Sequence, residues 1–273
     1  MERAQSLVLH NGQKIPYIGL GLWMVRGEAE FTASFDAAVE AGYTHFDTAQ
    51  AYGNEQLLGA AWRRRGLKRE DIFITTKIRV ENITIGRTAS SFAKSLENLQ
   101  TDHINLILLH FPVTIGRKKA WKELEKIYVT GKAKSIGVSN YTIKHLEEMK
   151  EYANILPAVN QVELHVFLQQ PELLEYCRDN SIVVEAYSPL AHGKKMDDPT
   201  IIAVAQKHHK TYAQILLRWL LQQGCVALPK SVKPERVRQN IDIFNFELDD
   251  EDMHRLTQLD QNLRTCWDPT HVP

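Results

Sequence analysis

Residues 45–55 of the chain are HFDTAQAYGNE, a short apolar run closed by Asp47 and followed closely by Tyr52. The same pattern recurs along the chain, because most of the later strand-like runs also end in a polar or ionisable side chain. The carboxyl ends of neighbouring parallel strands lie at the same edge of a sheet. The sequence therefore predicts that these side chains, although far apart in the chain, share one site.

Strand-like runs alternate with helical patterns over most of the length. Apolar residues at helical spacing separate successive runs, for example Phe31, Phe35 and Ala38 with Gly42 as a stop signal. This alternation indicates βαβ crossovers and a parallel sheet. With 273 residues, the typical size of one barrel, we predict a single (β/α)8 TIM barrel domain over residues 1–273. The eight predicted strands are 18–23, 45–49, 72–78, 104–110, 135–140, 158–164, 182–188 and 226–231.

A β-hairpin is predicted ahead of the first barrel strand. Residues 7–9 and 13–17 form two short strand patterns around Asn11 and Gly12, a pair that tolerates positive φ at both turn positions. A hairpin in this position would cap the bottom of the barrel.

Composition excludes several classes of function. Lys plus Arg and Asp plus Glu are both 33, so a net charge of zero gives no general attraction to nucleic acid or to an anionic membrane. Cys177, Cys225 and Cys266 lack the spacing of a disulfide framework or a zinc site. No signal peptide or membrane span is evident, so we expect a cytoplasmic protein, and nothing demands more than a monomer.

The sequence contains partial patterns of two other types of site. Gly19 and Gly21 follow an apolar run, but the third glycine of a Rossmann fingerprint would fall at Met24, so the fingerprint fails. Glu163 and His165 face the same way on one predicted strand, as in a metal-dependent hydrolase. No matching second pair of ligands is evident, and we predict no metal site.

Four residues at the strand ends suggest acid catalysis. Lys77 ends the third strand and would be costly to bury unpaired, so Asp47 on the neighbouring strand is its expected partner. An ammonium group beside Tyr52 would lower the pKa of the phenol and make it a usable proton donor. His110 could donate a hydrogen bond to a substrate oxygen. A proton donor over a carbonyl is half of a carbonyl reduction, and the hydride must come from a cofactor.

Other strand ends suit a nicotinamide nucleotide. Tyr187 offers a ring face, while Ser139, Asn140 and Gln161 offer groups that could bind a carboxamide. Residues 229–240, PKSVKPERVRQN, place cations and a hydroxyl at the start of a predicted helix. Such a position favours anions, and we expect a phosphorylated ribose there.

Together these motifs resemble the aldo-keto reductase superfamily over nearly the whole chain, and most closely its prokaryotic and protozoal branch of 2,5-diketo-gluconate reductases and prostaglandin F synthases. The resemblance is carried by GYTHFDTA at 42–49, YGNE at 52–55, ITTK at 74–77, LLH at 108–110, IGVSN at 136–140 and PKS at 229–231. It implies a barrel that binds NADPH without a Rossmann domain and reduces aldehydes or ketones with Tyr52 as general acid. The implied catalytic tetrad is Asp47, Tyr52, Lys77 and His110. The implied cofactor contacts are Ser139, Asn140, Gln161, Tyr187, Ser188, Lys230, Ser231, Arg236, Gln239 and Asn240.

The expected substrate is a small carbonyl compound. Phe111 stands where many family members carry tryptophan, and the loop at 112–119 is short, which implies an open pocket walled by Trp23, Phe111 and Trp267. Each residue alone also has an ordinary interpretation: Trp23 and Phe111 as core aromatics, and Arg236 as a helix-surface cation. The alternative function is an NADPH-sensing binding protein with negligible turnover.

Overall fold

The computed structural model describes residues 5–273, which form a barrel of eight parallel strands preceded by an antiparallel hairpin. The hairpin strands are β1 (Ser6–Val8) and β2 (Lys14–Pro16). The barrel strands are β3 (Gly19–Gly21), β4 (His45–Asp47), β5 (Phe73–Ile78), β6 (Ile104–Leu109), β7 (Ala133–Ser139), β8 (Val159–Glu163), β9 (Val183–Tyr187) and β10 (Val226–Leu228). Each lies within or close to its predicted range.

The barrel closes between its first and last strands. β3 to β10 pair in chain order, and Ile18 and Ala227 form a parallel bridge that joins the two ends. Ala227 N–H donates to the Tyr17 carbonyl at 2.9 Å, and Gly21 N–H donates to the Pro229 carbonyl at 3.0 Å. The predicted (β/α)8 barrel is therefore confirmed, and its first and last strands are joined by these contacts.

Helices surround the barrel. They are α1 (Glu28–Ala41), α2 (Glu55–Arg64), α3 (Val80–Thr84), α4 (Thr88–Asn98), α5 (Arg117–Val129), α6 (Ile143–Lys150), α7 (Pro171–Asp179), α8 (Pro199–His208), α9 (Tyr212–Gln222), α10 (Pro234–Ile241) and α11 (Asp250–Thr257). Two of them, α8 and α9, separate β9 from β10. Within residues 5–273 no helix has the length and apolarity needed to cross a bilayer.

Alternation along the strands sorts side chains between two apolar layers. Residues such as Ile74 and Ile107 point outward and pack under the helices. Inside the barrel, Leu106 and Leu108 belong to a second apolar cluster that includes Leu9 and Ile15 of the hairpin. The hairpin therefore fills the bottom of the barrel, as predicted.

Asn11 and Gly12 have different roles in the hairpin turn. Of the two, only Gly12 has positive φ, at 82°, and Leu9 N–H donates to the Gln13 carbonyl at 2.8 Å, which leaves residues 10–12 in the loop between the two strands. Asn11 is used differently: its side-chain amide donates to the Lys134 carbonyl at 3.0 Å. That contact attaches the hairpin to the start of β7.

Candidate active site

A buried ion pair lies at the carboxyl ends of β4 and β5. Lys77 Nζ is 2.6 Å from Asp47 Oδ1, and the lysine side chain is only 1% exposed. The ammonium also donates to the Thr48 carbonyl at 3.0 Å and to Tyr52 Oη at 3.1 Å. All three of its hydrogens thus have acceptors, which offsets the cost of burying the charge.

The loop that carries Tyr52 is held rigidly. It is a single 3-10 turn, Gln50–Tyr52, ended by Gly53 with a φ of 70°. The buried side chain of Asn54 accepts from Thr48 Oγ1 at 2.6 Å and donates to the carbonyls of Leu22 and Val25 at 2.8 and 2.9 Å. These bonds fix the loop over the barrel mouth, and the phenol with it.

The expected lowered pKa of Tyr52 is wrong in net direction. Burial of the phenol raises its pKa, and the Lys77 charge opposes this shift without reversing it. Burial also lowers the pKa of Lys77, but Asp47 and Tyr52 raise it by more than burial lowers it. The ammonium therefore stays charged. At neutral pH the resting protein holds a protonated phenol beside a cation that would stabilise the phenolate.

His110 faces the same space as Tyr52. The two rings are nearly perpendicular, with centroids 5.7 Å apart. Burial and the nearby Lys77 charge lower the pKa of His110 to about 3. The imidazole is therefore neutral at physiological pH and has one N–H available as a donor.

Polar groups from β7, β8 and β9 form a second cluster beside the tetrad. Tyr187 Oη donates to Asn140 Oδ1 at 2.6 Å, and Asn140 Nδ2 donates to Ser139 Oγ at 3.1 Å. Ser139 Oγ in turn donates to the main-chain carbonyl of Gln161 at 2.9 Å. The structure thus brings together the four residues predicted to contact nicotinamide. Ser188, next along from Tyr187, lies 3.1 Å from His192 Nε2.

Sequence reasoning missed the buried groups beneath this cluster. Glu185 on β9 is fully buried, and its Oε2 accepts from Gln161 Nε2 at 3.0 Å. Gln161 Nε2 also donates to Asp47 Oδ2 at 2.8 Å. His45 lies 3.6 Å from the other oxygen of Glu185. The available signal was a lone carboxylic acid within the apolar run Val183 to Ala186.

The predicted phosphate-binding residues line the entrance to α10. Lys230 follows β10, and its Cβ lies 3.7 Å from the position that a Cβ on Gly21 would occupy, beside the top of β3. Ser231 Oγ accepts from Lys233 N–H at 3.1 Å ahead of the helix. On α10 itself Arg236 and Gln239 are exposed and Asn240 is buried.

The predicted pocket aromatics lie around the mouth rather than in the core. Trp23 is 45% exposed and meets His192 edge-on at 5.6 Å. Phe111 is half-buried and meets Trp267 edge-on at 6.1 Å, while Trp267 itself is 75% exposed. The interpretation of Trp23 and Phe111 as core aromatics is therefore wrong.

Glu163 has a structural role instead of a metal-binding one. Its carboxylate accepts from the N–H groups of Thr265 and Cys266 at 2.7 and 3.0 Å, and His165 Nε2 lies 3.2 Å away. The residue thus holds the segment that leads to Trp267. Across residues 5–273 no group of three His, Cys, Asp or Glu side chains is arranged to hold a metal ion.

Comparison with known proteins agrees with this geometry. The glyoxal reductase of Bacillus subtilis (strain 168) is 44% identical over 267 residues, 98% of this chain and 97% of that protein. The 9,11-endoperoxide prostaglandin H2 reductase of Trypanosoma cruzi is 38% identical, over 96% of this chain and 94% of that protein.

Solved structures show the same architecture. An aldo-keto reductase enzyme from a Medee basin deep-sea metagenome library has a TM-score of 0.93 and 39% identity, covering 98% of this chain and 100% of that one. A Bombyx mori aldo-keto reductase in complex with NADP has a TM-score of 0.90 and 31% identity, covering 97% and 95%. The model of the Aldo/keto reductase family matches residues 17–261. The chain belongs to the aldo/keto reductase family, which confirms the resemblance found in the sequence.

Proposed function

We propose that this protein is an NADPH-dependent reductase of aldehydes or ketones in which Tyr52 is the general acid. The observation that carries the proposal is the 3.1 Å contact between Lys77 Nζ and Tyr52 Oη, with Asp47 behind the lysine and His110 beside the phenol. Family membership supports carbonyl reduction, and a related structure is a complex with NADP.

The side chains present fit the cofactor. The hydroxyl and amide cluster of Ser139, Asn140 and Gln161 has both the donors and the acceptors that a carboxamide needs, and Tyr187 beside it offers a ring face. Lys230 and Arg236 add cations near the free N–H groups of α10, where a phosphate is favoured. The further residues that would contact the nucleotide are Ser188, Ser231, Gln239 and Asn240.

The tetrad residues have separate tasks. Bound NADPH supplies the hydride that reduces the carbonyl carbon. Tyr52 gives its proton to the carbonyl oxygen, and Lys77 stabilises the phenolate that is left. Neutral His110 donates a hydrogen bond that orients the oxygen, while Asp47 holds the ammonium in place. General acid catalysis of this kind contributes about 10² to 10⁴ in rate.

The substrates we propose are small reactive aldehydes and dicarbonyls. The mouth is open, since Trp23 is 45% and Trp267 75% exposed, and its walls are aromatic. A relative that matches almost the whole chain is a glyoxal reductase. The name of this relative favours compact carbonyl compounds, and the open mouth gives them access to Tyr52.

The test is consumption of NADPH with glyoxal, methylglyoxal and benzaldehyde, measured by loss of cofactor absorbance. The wild-type protein should oxidise NADPH, and Tyr52→Phe should lose at least about 10² in kcat while still quenching tryptophan fluorescence on NADPH binding. A Tyr52→Phe variant with undiminished turnover would reject Tyr52 as the acid. Tight NADPH binding with no turnover on any carbonyl would favour the sensing protein instead.

A further inference from the structure

The barrel interior beneath the tetrad holds two carboxyl groups and one ammonium. Asp47 Oδ1 lies 2.6 Å from Lys77 Nζ, so Asp47 is the carboxylate that forms the ion pair with the ammonium. Glu185 makes no contact of this kind with Lys77. Its Oε2 accepts from Gln161 Nε2, and its Oε1 has no hydrogen-bond partner in the described part of the chain. A second carboxylate buried here without a cation would be costly, which favours the protonated form of Glu185.

Gln161 connects the two carboxyl groups. Its Nε2 donates to Asp47 Oδ2 at 2.8 Å and to Glu185 Oε2 at 3.0 Å. An ionised Asp47 has no proton to donate, so it can pair only with the nitrogen of the Gln161 amide. This pairing therefore fixes the orientation of the amide, with Nε2 toward Asp47. Glu185 is therefore one hydrogen-bonded residue away from the carboxylate that holds Lys77.

We propose that Glu185 is a positioning residue for the tetrad: as a neutral carboxyl group it orients Gln161 beneath Asp47, and its ionisation slows proton donation by Tyr52. The inference rests on the proposed function. An added negative charge beside Asp47 favours the protonated phenol and so opposes transfer of its proton. It also places two carboxylates on the same Gln161 amide.

The surroundings of Glu185 place this ionisation near neutrality. The titratable or charged groups that face it are His45 and Asp47 on β4 and Lys77 on β5, while β10 contributes the apolar Val226 at the paired position. Burial, followed by the Asp47 charge, raises the pKa of Glu185 to about 8. Burial lowers the pKa of His45 to about 3, so His45 is neutral throughout this range.

The first test is a pH profile of a single turnover, with NADPH bound and methylglyoxal added by stopped flow. Between pH 7 and pH 9 the wild-type rate should fall about threefold to tenfold, as expected for a unit charge added nearby at an effective dielectric of about 20. Glu185→Gln, a neutral variant of the same shape, should match the wild-type rate at pH 7 within about twofold and show no such fall. The fall in rate is expected at a pH well below the one at which Tyr52 loses its proton, because the pKa of Tyr52 lies above its usual value.

The second test uses the protein without cofactor and does not depend on turnover. A Glu side chain in the unfolded chain has a pKa of about 4.3, so between pH 5 and pH 8 unfolding releases the proton that the folded protein keeps. The urea midpoint of the wild type should therefore fall relative to that of Glu185→Gln as the pH rises over this range.

Three results would overturn the inference. They are a Glu185→Gln profile that keeps the wild-type fall, a Glu185→Gln rate that is low at every pH, and urea midpoints of the two proteins that depend equally on pH. A wild type that reduces no carbonyl at any pH would reject the proposed function alone, because the unfolding experiment still decides the protonation of Glu185.

Discussion

At the scale of single residues, Asp47, Lys77 and Tyr52 form one electrostatic unit rather than three independent groups. Lys77 lies between Asp47 and Tyr52, and the three side chains are joined by contacts of 2.6 and 3.1 Å. Burial alone lowers the pKa of Lys77, and the neighbouring Asp47 and Tyr52 reverse this shift. Substitutions in this unit should therefore change stability as well as rate, and the two effects can be separated.

Lys77→Met should bind NADPH but reduce carbonyls poorly, because the phenolate of Tyr52 would lose its neighbouring cation. It should also lower the free energy of unfolding by about 3–5 kcal/mol at pH 7, since the buried Asp47 carboxylate is left without its partner. Urea unfolding and NADPH turnover measure the two effects.

The control for this prediction is the double variant Asp47→Asn with Lys77→Met. It removes the unpaired negative charge of Asp47 and should recover part of the lost stability without recovering turnover. A single variant that keeps the wild-type rate, or a double variant less stable than the single one, would contradict this account of the ion pair.

At the scale of elements, close strand packing depends on glycine where the barrel wall has no room for a side chain. A Cβ on Gly137 in β7 would lie 2.5 Å from the Val159 carbonyl oxygen and 2.7 Å from Leu108 Cδ2. The first of these contacts is to the backbone of β8, which cannot move without separating the two strands.

Gly137→Ala should therefore lower the free energy of unfolding by about 1–3 kcal/mol or more, measured by urea denaturation. The matched control is Gly131→Ala, where no atom lies within 4 Å of the added Cβ and only the φ of 73° is unfavourable, a cost of about 1 kcal/mol. Equal losses in the two variants would show that packing between β7 and β8 is not the constraint.

Local patterns explain why the strands and most helices could be predicted. Each strand is an apolar run a few residues long, and its last residues, such as Asp47 and Lys77, are visible in the sequence. The positive φ that the pair Asn11 and Gly12 tolerates at both positions of the hairpin turn occurs only at Gly12. The side chain of Asn11 instead contacts the carbonyl of Lys134, 123 residues away. Such distant contacts leave no mark on local spacing.

The same limit applies to the site. The proximity of Asp47, Tyr52, Lys77 and His110 could be predicted because each of them closes or follows a strand. The bridge from Gln161 to Asp47 spans 114 positions, and its continuation to Glu185 depends on the register of β8 and β9. The direction of the pKa shift of Tyr52 could not be predicted from the sequence either. Burial outweighs the neighbouring charge, and burial depends on the whole fold.

At the scale of the whole molecule, the barrel mouth is completed by a segment from the far end of the chain. Glu163 at the end of β8 accepts hydrogen bonds from the N–H groups of Thr265 and Cys266, 102 and 103 residues later. Trp267 follows directly and meets Phe111 across the mouth. One buried carboxylate therefore links the barrel wall to the rim of the pocket.

Glu163→Gln should loosen this segment, because its amide N–H group would face backbone N–H donors where the carboxylate offers only acceptors. The KM for the carbonyl substrate should rise several-fold while kcat changes little, since the tetrad is untouched, and trypsin should cleave after Arg264 faster than in the wild type. Glu172→Gln, on the exposed first turn of α7, is the matched control and should change neither quantity. If Glu163→Gln left both the KM and the rate of cleavage at Arg264 unchanged, Glu163 would not be what holds the rim in place.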